Sequence, residues 1–108
     1  MLDLNNRVVL ISGANRGIGL ALATRLYEAG CFLSLGVRDP ETLVSFLADK
    51  NKARVHIARY EATDWTSHEL WVTAALEQFG KIDALINNAG IGSHQTIRII
   101  SETELDTV

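Results

Sequence analysis

Three glycines near the amino terminus have a spacing that favours the binding of a phosphate group. Gly13, Gly17 and Gly19 form the pattern Gly-x-x-x-Gly-x-Gly directly after a short β-branched run. The first allows a tight turn, the second lets backbone approach a ligand, and the third lets a helix pack closely on a sheet. Free amides at the start of that helix, with the positive end of its dipole, favour a pyrophosphate. A glycine-rich turn without a ligand is the alternative interpretation.

The elements that would position this loop follow from alternating apolar runs and helical patterns. Strands are predicted over 7–12, 31–37, 53–60 and 84–86. Helices are predicted over 17–29, after Asp39-Pro40, from the capping box Thr66–Glu69 to Phe79, and from a second capping box at Ser101–Glu104. The first helix rests on the four-residue spacing of Ile18, Leu22 and Leu26, and the starts of the other three rest on side chains that cap the first turn of a helix.

This order of elements predicts a doubly wound α/β fold with a parallel sheet. Right-handed crossovers place the strands in the order 3-2-1-4 and the helices on both faces. Strand four is then an outer strand, although it lacks the lysine, proline or inward charge that protects an edge. We therefore expect the 108-residue chain by itself to aggregate, to dimerise through strand four, or to stay partly molten.

Composition excludes several classes of protein. The chain has 108 residues, a formal net charge of -3, and 47% hydrophobic residues, so it forms at most one domain and is too apolar to be disordered. The acidic balance argues against nucleic acid or an anionic membrane as partner. The single cysteine, Cys31, excludes an internal disulfide and a cysteine-based zinc cluster. No apolar run approaches the roughly 20 residues that span a bilayer, and no signal peptide is recognisable, so we expect a cytoplasmic protein.

A second motif, Asn87-Asn88-Ala89-Gly90, follows the fourth predicted strand. Together the two motifs resemble those of the classical short-chain dehydrogenases/reductases, with Ser12 where that family usually has threonine. The resemblance covers the whole chain and implies that residues 1–108 are a single NAD(P)-binding, Rossmann-type domain, the N-terminal half of a longer family domain. The residues that it implies beside the cofactor are Ser12, Gly13, Asn15, Arg16, Gly17, Ile18, Gly19, Arg38, Glu61, Ala62, Asn88, Ala89 and Gly90.

The residues after the second predicted strand bear on the choice of cofactor. An acid at this place would bind the ribose 2′-hydroxyl of NAD, whereas a 2′-phosphate needs a cation. Here Val37 holds the place of the acid and Arg38 follows it, while Arg16 stands where the family often has a second basic contact. Because arginine grips phosphate by two parallel bonds, we expect NADP(H), with NAD less favoured. Solvated surface arginines are the alternative.

Three carboxylates nearby carry further expectations. Asp39 is a rival candidate for the ribose, although we interpret it as the N-cap before Pro40. Glu61 stands where the family has an aspartate that contacts the adenine amino group, and its longer side chain departs from that pattern. Asp64 is interpreted as a helix cap rather than as a ligand.

The residues that catalyse the family's reaction are not found in this chain. That reaction uses a serine, a tyrosine and a lysine four residues after the tyrosine. Here Cys31 follows Tyr27 at that spacing and Asp64 follows Tyr60. The three histidines, of which His94 lies on the loop near the expected nicotinamide end, show no pairing that indicates a metal site or a general base. We expect no dehydrogenase activity from the 108-residue chain by itself.

The resemblance implies the NADP(H)-binding part of an oxidoreductase. A complete member would transfer hydride between NADPH and a small carbonyl or alcohol substrate and would form a homo-oligomer. Two alternatives stay open: a non-catalytic dinucleotide-binding or interaction module, and a truncated product without function.

Overall fold

The computed structural model describes residues 3–15, 17–88 and 98–101. The strands are β1 (Val8–Ser12), β2 (Phe32–Val37), β3 (Val55–Arg59), β4 (Ala84–Asn87) and β5 (Arg98–Ser101). The helices are α1 (Gly17–Glu28), the short α2 (Val44–Leu47), which follows a 3-10 turn (Pro40–Leu43), and α3 (Trp65–Phe79). Within these described ranges, no helix combines the length and the apolar character that crossing a membrane requires.

The strands form one sheet in the order β3-β2-β1-β4-β5. The first four are parallel, so the predicted α/β class and the 3-2-1-4 order are confirmed. Ser12 is level with Gly36 of β2 on one side and with Asn87 of β4 on the other. This register brings the carboxyl ends of the central strands, and the loops that follow them, to one edge of the sheet.

The prediction that strand four is an outer strand is wrong. In the described structure β5 pairs with β4 in an antiparallel direction and aligns Ile99 with Ile86 and Ser101 with Ala84. Ser101, the expected N-cap of a further helix, is the last residue of this strand. The helix expected after it lies outside the described residues. The expectation of self-association through an open β4 edge therefore loses its premise.

The helix caps in the structure match the caps predicted from the sequence only in part. Asp39 accepts a hydrogen bond from the Glu41 amide at 3.1 Å, as its interpretation as an N-cap predicts. Asp64 caps α3 by accepting from the Thr66 amide at 3.0 Å, so the prediction that Thr66 begins the capping box is wrong. Asp64 is the N-cap because it directly precedes the first helical residue, whereas Thr66 already lies inside the helix.

The two faces of the sheet bury different kinds of side chain. Under α1 and α2 the core is aliphatic, and Leu33 and Leu35 are fully buried there. Alternate residues of β2 face α3, where Ser34 Oγ accepts a hydrogen bond from Trp71 Nε1 at 2.8 Å and lies 2.8 Å from His56 Nδ1. We call Ser34, His56 and Trp71 the polar contact under α3. It fixes the position of β2 relative to β3 and α3.

Candidate functional site

The loops after β1, β2 and β3 meet at the carboxyl edge of the sheet. The Gly13 amide donates to the Gly36 carbonyl at 2.8 Å, and the Tyr60 amide donates to the Val37 carbonyl at 2.8 Å. Gly36 has no space for a side chain, because a Cβ there would lie 2.9 Å from the Trp71 ring. Tight packing on α3 therefore holds the end of β2 beside the glycine loop.

The glycine loop enters α1 through two left-handed residues. Gly13 has a φ of 68° and Gly17 a φ of 61°, values that L side chains adopt only with strain. Among the described residues, a Cβ on Gly17 would meet no atom within 4 Å. Ile18 next to it is 52% exposed. The described residues therefore leave the amino end of the helix accessible.

Gly19 joins the two sequence motifs. A Cβ there would collide with the side-chain amide of Asn88 and with the Gly13 carbonyl. Without it, Asn88 Nδ2 donates to the Gly13 carbonyl at 3.3 Å. The strand-four motif is thereby bonded to the glycine loop, a contact that requires the absence of a side chain at position 19.

Ser12 completes this junction from the end of β1. Its Oγ donates to Asn87 Oδ1 at 2.8 Å and accepts from the Asn88 amide at 2.9 Å. Asn88 is 4% exposed, and its Oδ1 has no hydrogen-bond partner among the residues that the structure describes. We call Ser12, Gly13, Gly17, Gly19 and Asn88 the phosphate end of the site. Its polar contacts are uncharged and largely buried.

Asn15 ties the glycine loop to the connection after β2. Its Nδ2 donates to Thr42 Oγ1 at 3.1 Å, and that hydroxyl donates to the Asp39 carbonyl at 2.7 Å. In the same turn, the Asp39 carboxylate serves as a cap through Oδ1. These contacts fix the path of the backbone directly after Arg38.

Arg38 and Glu61, which the sequence analysis treats separately, form an ion pair. Arg38 Nε lies 2.9 Å from Glu61 Oε2, and the two side chains are 83% and 39% exposed. Val37, in the place of the family's acid, is buried, and Ala62 packs against the aromatic core. We call Arg38 and Glu61 the ribose end of the site. No local pattern signals the pair, because the two residues follow different strands.

Three residues implied by the resemblance, Arg16, Ala89 and Gly90, lie outside the described residues, as does His94. For the remaining implied residues, the structure gathers Ser12, Gly13, Asn15, Gly17, Ile18, Gly19, Arg38, Glu61, Ala62 and Asn88 around the carboxyl edge of the sheet. The described part of the chain contains no group of three or more His, Cys, Asp or Glu side chains that could hold a metal ion.

A cavity of about 440 Å³ adjoins the site on the α3 side. Ser12, Asn87, Tyr60, His68, Trp65 and Trp71 contribute to its lining. The Tyr60 hydroxyl lies 3.3 Å from His68 Nε2, and burial, with a smaller contribution from the Glu61 carboxylate, raises the pKa of Tyr60 above its usual value of 10.0. Tyr60 therefore keeps its proton at neutral pH. No sequence pattern indicates this group of aromatic residues, since its members come from α3 and the loop before it.

Comparison with known proteins identifies relatives of the whole chain. A family model described as short chain dehydrogenase matches residues 7–108. An agropine synthesis reductase of Rhizobium rhizogenes is 46% identical over 85 residues, which are 79% of this chain and 20% of the relative. The chain thus spans about a fifth of that curated relative.

Two solved structures from Brucella melitensis have the same arrangement of strands and helices over most of the chain. A short-chain dehydrogenase/reductase of the glucose/ribitol dehydrogenase type superposes with a TM-score of 0.80 at 34% identity and covers 85% of this chain and 39% of its own. A 3-ketoacyl-(acyl-carrier-protein) reductase complexed with NADH gives a TM-score of 0.73 at 32% identity, with 82% of this chain and 36% of its own covered.

Proposed function

The chain belongs to the short-chain dehydrogenase family, and from that premise we propose that it binds a nicotinamide adenine dinucleotide, with NADPH preferred over NADH. One observation carries the proposal: the contact of Gly19 with Asn88 and Gly13 joins both sequence motifs beside the open start of α1. A glycine-rich turn without a ligand has no need for a bond between the two motifs beside an accessible helix start. The arrangement is the one in which a helix start binds an anion.

The described residues fit such a cofactor at the phosphate end. Among the described residues, no atom crowds a Cβ placed on Gly17 at the start of α1. Backbone amides at the start of that helix would hold a pyrophosphate there. When bound, the nicotinamide supplies or accepts a hydride. The residues of this chain contribute binding and orientation.

The preference for NADPH rests on the ribose end. The guanidinium of Arg38 is exposed, and at the end of β2 the buried Val37 offers no carboxylate for a 2′-hydroxyl. The Asp39 carboxylate is engaged as a helix cap. A cation without a competing acid at the end of β2 favours a 2′-phosphate. The Brucella reductase complexed with NADH belongs to the same fold, so the preference has to be measured rather than carried over.

For the whole protein we propose oxidoreduction of a small carbonyl or alcohol substrate by a cytoplasmic homo-oligomer. In that proposal residues 1–108 are one nucleotide-binding domain and form the cofactor half of the catalytic unit. Among the described residues, Tyr60 holds its proton tightly and is hydrogen-bonded to His68 rather than to a lysine. The same observation favours a second candidate, a module that binds the dinucleotide without turnover.

Two matched glycine variants test nucleotide binding. Gly17→Ala and Gly80→Ala both place a methyl group at positive φ with nothing within 4 Å, so they cost similar backbone strain. Gly80 ends α3 at the opposite edge of the sheet. In titrations of the full chain with NADPH and NADH, Gly17→Ala should weaken both by about tenfold, equivalent to roughly 1.4 kcal/mol.

Gly80→Ala should bind both nucleotides with an affinity within about twofold of that of the parent chain. It introduces backbone strain similar to that of Gly17→Ala, but at the opposite edge of the sheet from the site. Equal affinities of the two variants, or no binding of either nucleotide by the parent chain, would overturn the proposal. Addition of a panel of carbonyl compounds to the NADPH-loaded whole protein, of which residues 1–108 are the proposed cofactor half, then separates the candidates, since a binding module oxidises no NADPH.

A further inference from the structure

The Arg38–Glu61 ion pair is fixed by the register of two neighbouring strands. Val37 of β2 is level with Arg59 of β3, and the Tyr60 amide donates to the Val37 carbonyl at 2.8 Å. The residues that follow, Arg38 and Glu61, thus leave the sheet side by side. The register brings the two backbones together, and the side chains make a contact of 2.9 Å between Nε and Oε2.

Hydrogen bonds with a side chain of α3 also hold the backbone of Glu61 in place. Its amide donates to Ser67 Oγ at 3.0 Å and its carbonyl accepts from the same hydroxyl at 2.9 Å. Ser67 lies in the first turn of α3. The backbone that carries the Glu61 carboxylate is therefore anchored, whereas the Arg38 side chain is 83% exposed.

The guanidinium of Arg38 has donors for two anions at once. An arginine side chain presents five N–H groups in a planar fork. Glu61 Oε2 contacts Nε, and the terminal nitrogens carry the remaining donors. A 2′-phosphate that binds the terminal nitrogens would meet a guanidinium whose positive charge is already compensated in part by the Glu61 carboxylate. An unphosphorylated ribose would meet no such penalty.

From this geometry we infer that Glu61 limits the preference of the site for a 2′-phosphorylated nucleotide by sharing the Arg38 guanidinium. The inference rests on the proposed function and refines it. Glu61 neutralises part of the charge that attracts the phosphate, so the chain accepts both NADPH and NADH with a modest ratio between them. Because the pair is exposed, it weakens phosphate binding without blocking it.

The test compares nucleotide fragments that differ only at the 2′ position. Adenosine 2′,5′-bisphosphate and adenosine 5′-monophosphate are titrated into the full chain, followed by NADPH and NADH. Glu61→Gln keeps an amide oxygen that can accept from the adenine amino group and removes the charge. It should raise the preference for the 2′-phosphate about fivefold, the effect of one exposed charge at short range.

Glu41→Gln is the matched control. Glu41 is an exposed acid three residues from Arg38 and caps nothing with its side chain, so its loss makes the same change in net charge and should alter the preference by less than about twofold. In an Arg38→Ala background, Glu61→Gln should lose most of its effect. An equal gain with and without Arg38 would overturn the inference, because Glu61 would then act on the phosphate directly.

The outcomes separate the inference from the function on which it rests. If the parent chain binds all four nucleotides and Glu61→Gln leaves the 2′-phosphate preference unchanged, the inference is wrong and the proposed function stands. If the parent chain binds none of them, the proposed function fails and the inference fails with it. Thermal melting of each variant verifies that differences in affinity do not arise from loss of fold.

Discussion

The phosphate end and the ribose end of the candidate site lie at the same edge of the sheet but are held by different forces. At the phosphate end, Ser12, Gly19 and Asn88 form uncharged hydrogen bonds and close packing, and Asn88 is 4% exposed. At the ribose end, Arg38 and Glu61 form an ion pair whose arginine is 83% exposed. Buried contacts lose much when one partner is removed, whereas exposed ion pairs contribute little to stability.

Mutations at the two ends should therefore differ in their effects on stability and on nucleotide affinity. A change at the phosphate end disturbs the fold and affects every dinucleotide alike, because the same atoms hold the loop and the strands. A change at the ribose end leaves the fold intact and alters only the discrimination between nucleotides. Three substitutions and one change of pH test this difference between the two ends.

Gly19→Ala should have the largest effect. The added methyl group would collide with the Asn88 amide and the Gly13 carbonyl, and overpacking of this kind costs about 1–3 kcal/mol. Unfolding by denaturant should show that loss, and the affinities for NADPH and NADH should fall together by about tenfold or more. A variant that loses only one of the two nucleotides would contradict the common role of this junction.

Ser12→Ala should come next. It removes the donor to Asn87 Oδ1 and leaves the buried Asn88 amide without its acceptor, at a cost of about 1–3 kcal/mol. Both nucleotides should again weaken together. Ser12→Thr, which keeps the hydroxyl, serves as the control and should restore stability and binding. If alanine and threonine behave alike, the hydroxyl does not hold the two motifs together.

Arg38→Ala should separate the two ends. Loss of a charge-assisted bond to phosphate costs about 1.5–3 kcal/mol, so NADPH should weaken by about tenfold or more while NADH changes less than about twofold. The free energy of unfolding should stay within about 0.5 kcal/mol of the parent, because the pair is exposed. An equal loss for both nucleotides would show that Arg38 does not discriminate at the 2′ position.

Acidification should produce the smallest effect, through the polar contact under α3. Burial lowers the pKa of His56 below its usual value of 6.5, so the folded chain takes up this proton at lower pH than the unfolded chain does. As the pH falls below about 6.5, the unfolded state binds more protons and the free energy of unfolding decreases. Protonated Nδ1 would also become a second donor toward Ser34 Oγ, which already accepts from Trp71.

His56→Gln should flatten this pH dependence between neutral pH and the lowered pKa of His56. The measurement is denaturant unfolding at several pH values for the parent and the variant. An unchanged slope in the variant would assign the dependence to another group.

Much of the fold follows from local sequence signals. The β-branched run before Gly13, the cap Asp39-Pro40 and the left-handed Gly80 each specify an element by short-range geometry, and the structure has them where they are predicted. The order 3-2-1-4 follows in turn, since right-handed crossovers leave few alternatives. The capping box at Thr66 is wrong because Asp64, interpreted from the sequence as a helix cap, precedes the first helical residue and caps α3. The helix expected after Ser101 lies outside the described residues.

Local patterns in the sequence specify the positions of the two motifs, the alternation of strands and helices, and the edge of the sheet at which the motifs meet. Three contacts could be seen only in the folded chain: the pairing of β5 with β4, the close approach of the Asn88 amide to Gly19, and the ion pair of Arg38 with Glu61. The reason is physical. Turns, caps and periodicity depend on neighbours along the chain, whereas these contacts depend on the register between strands, which is fixed only when the whole sheet has formed.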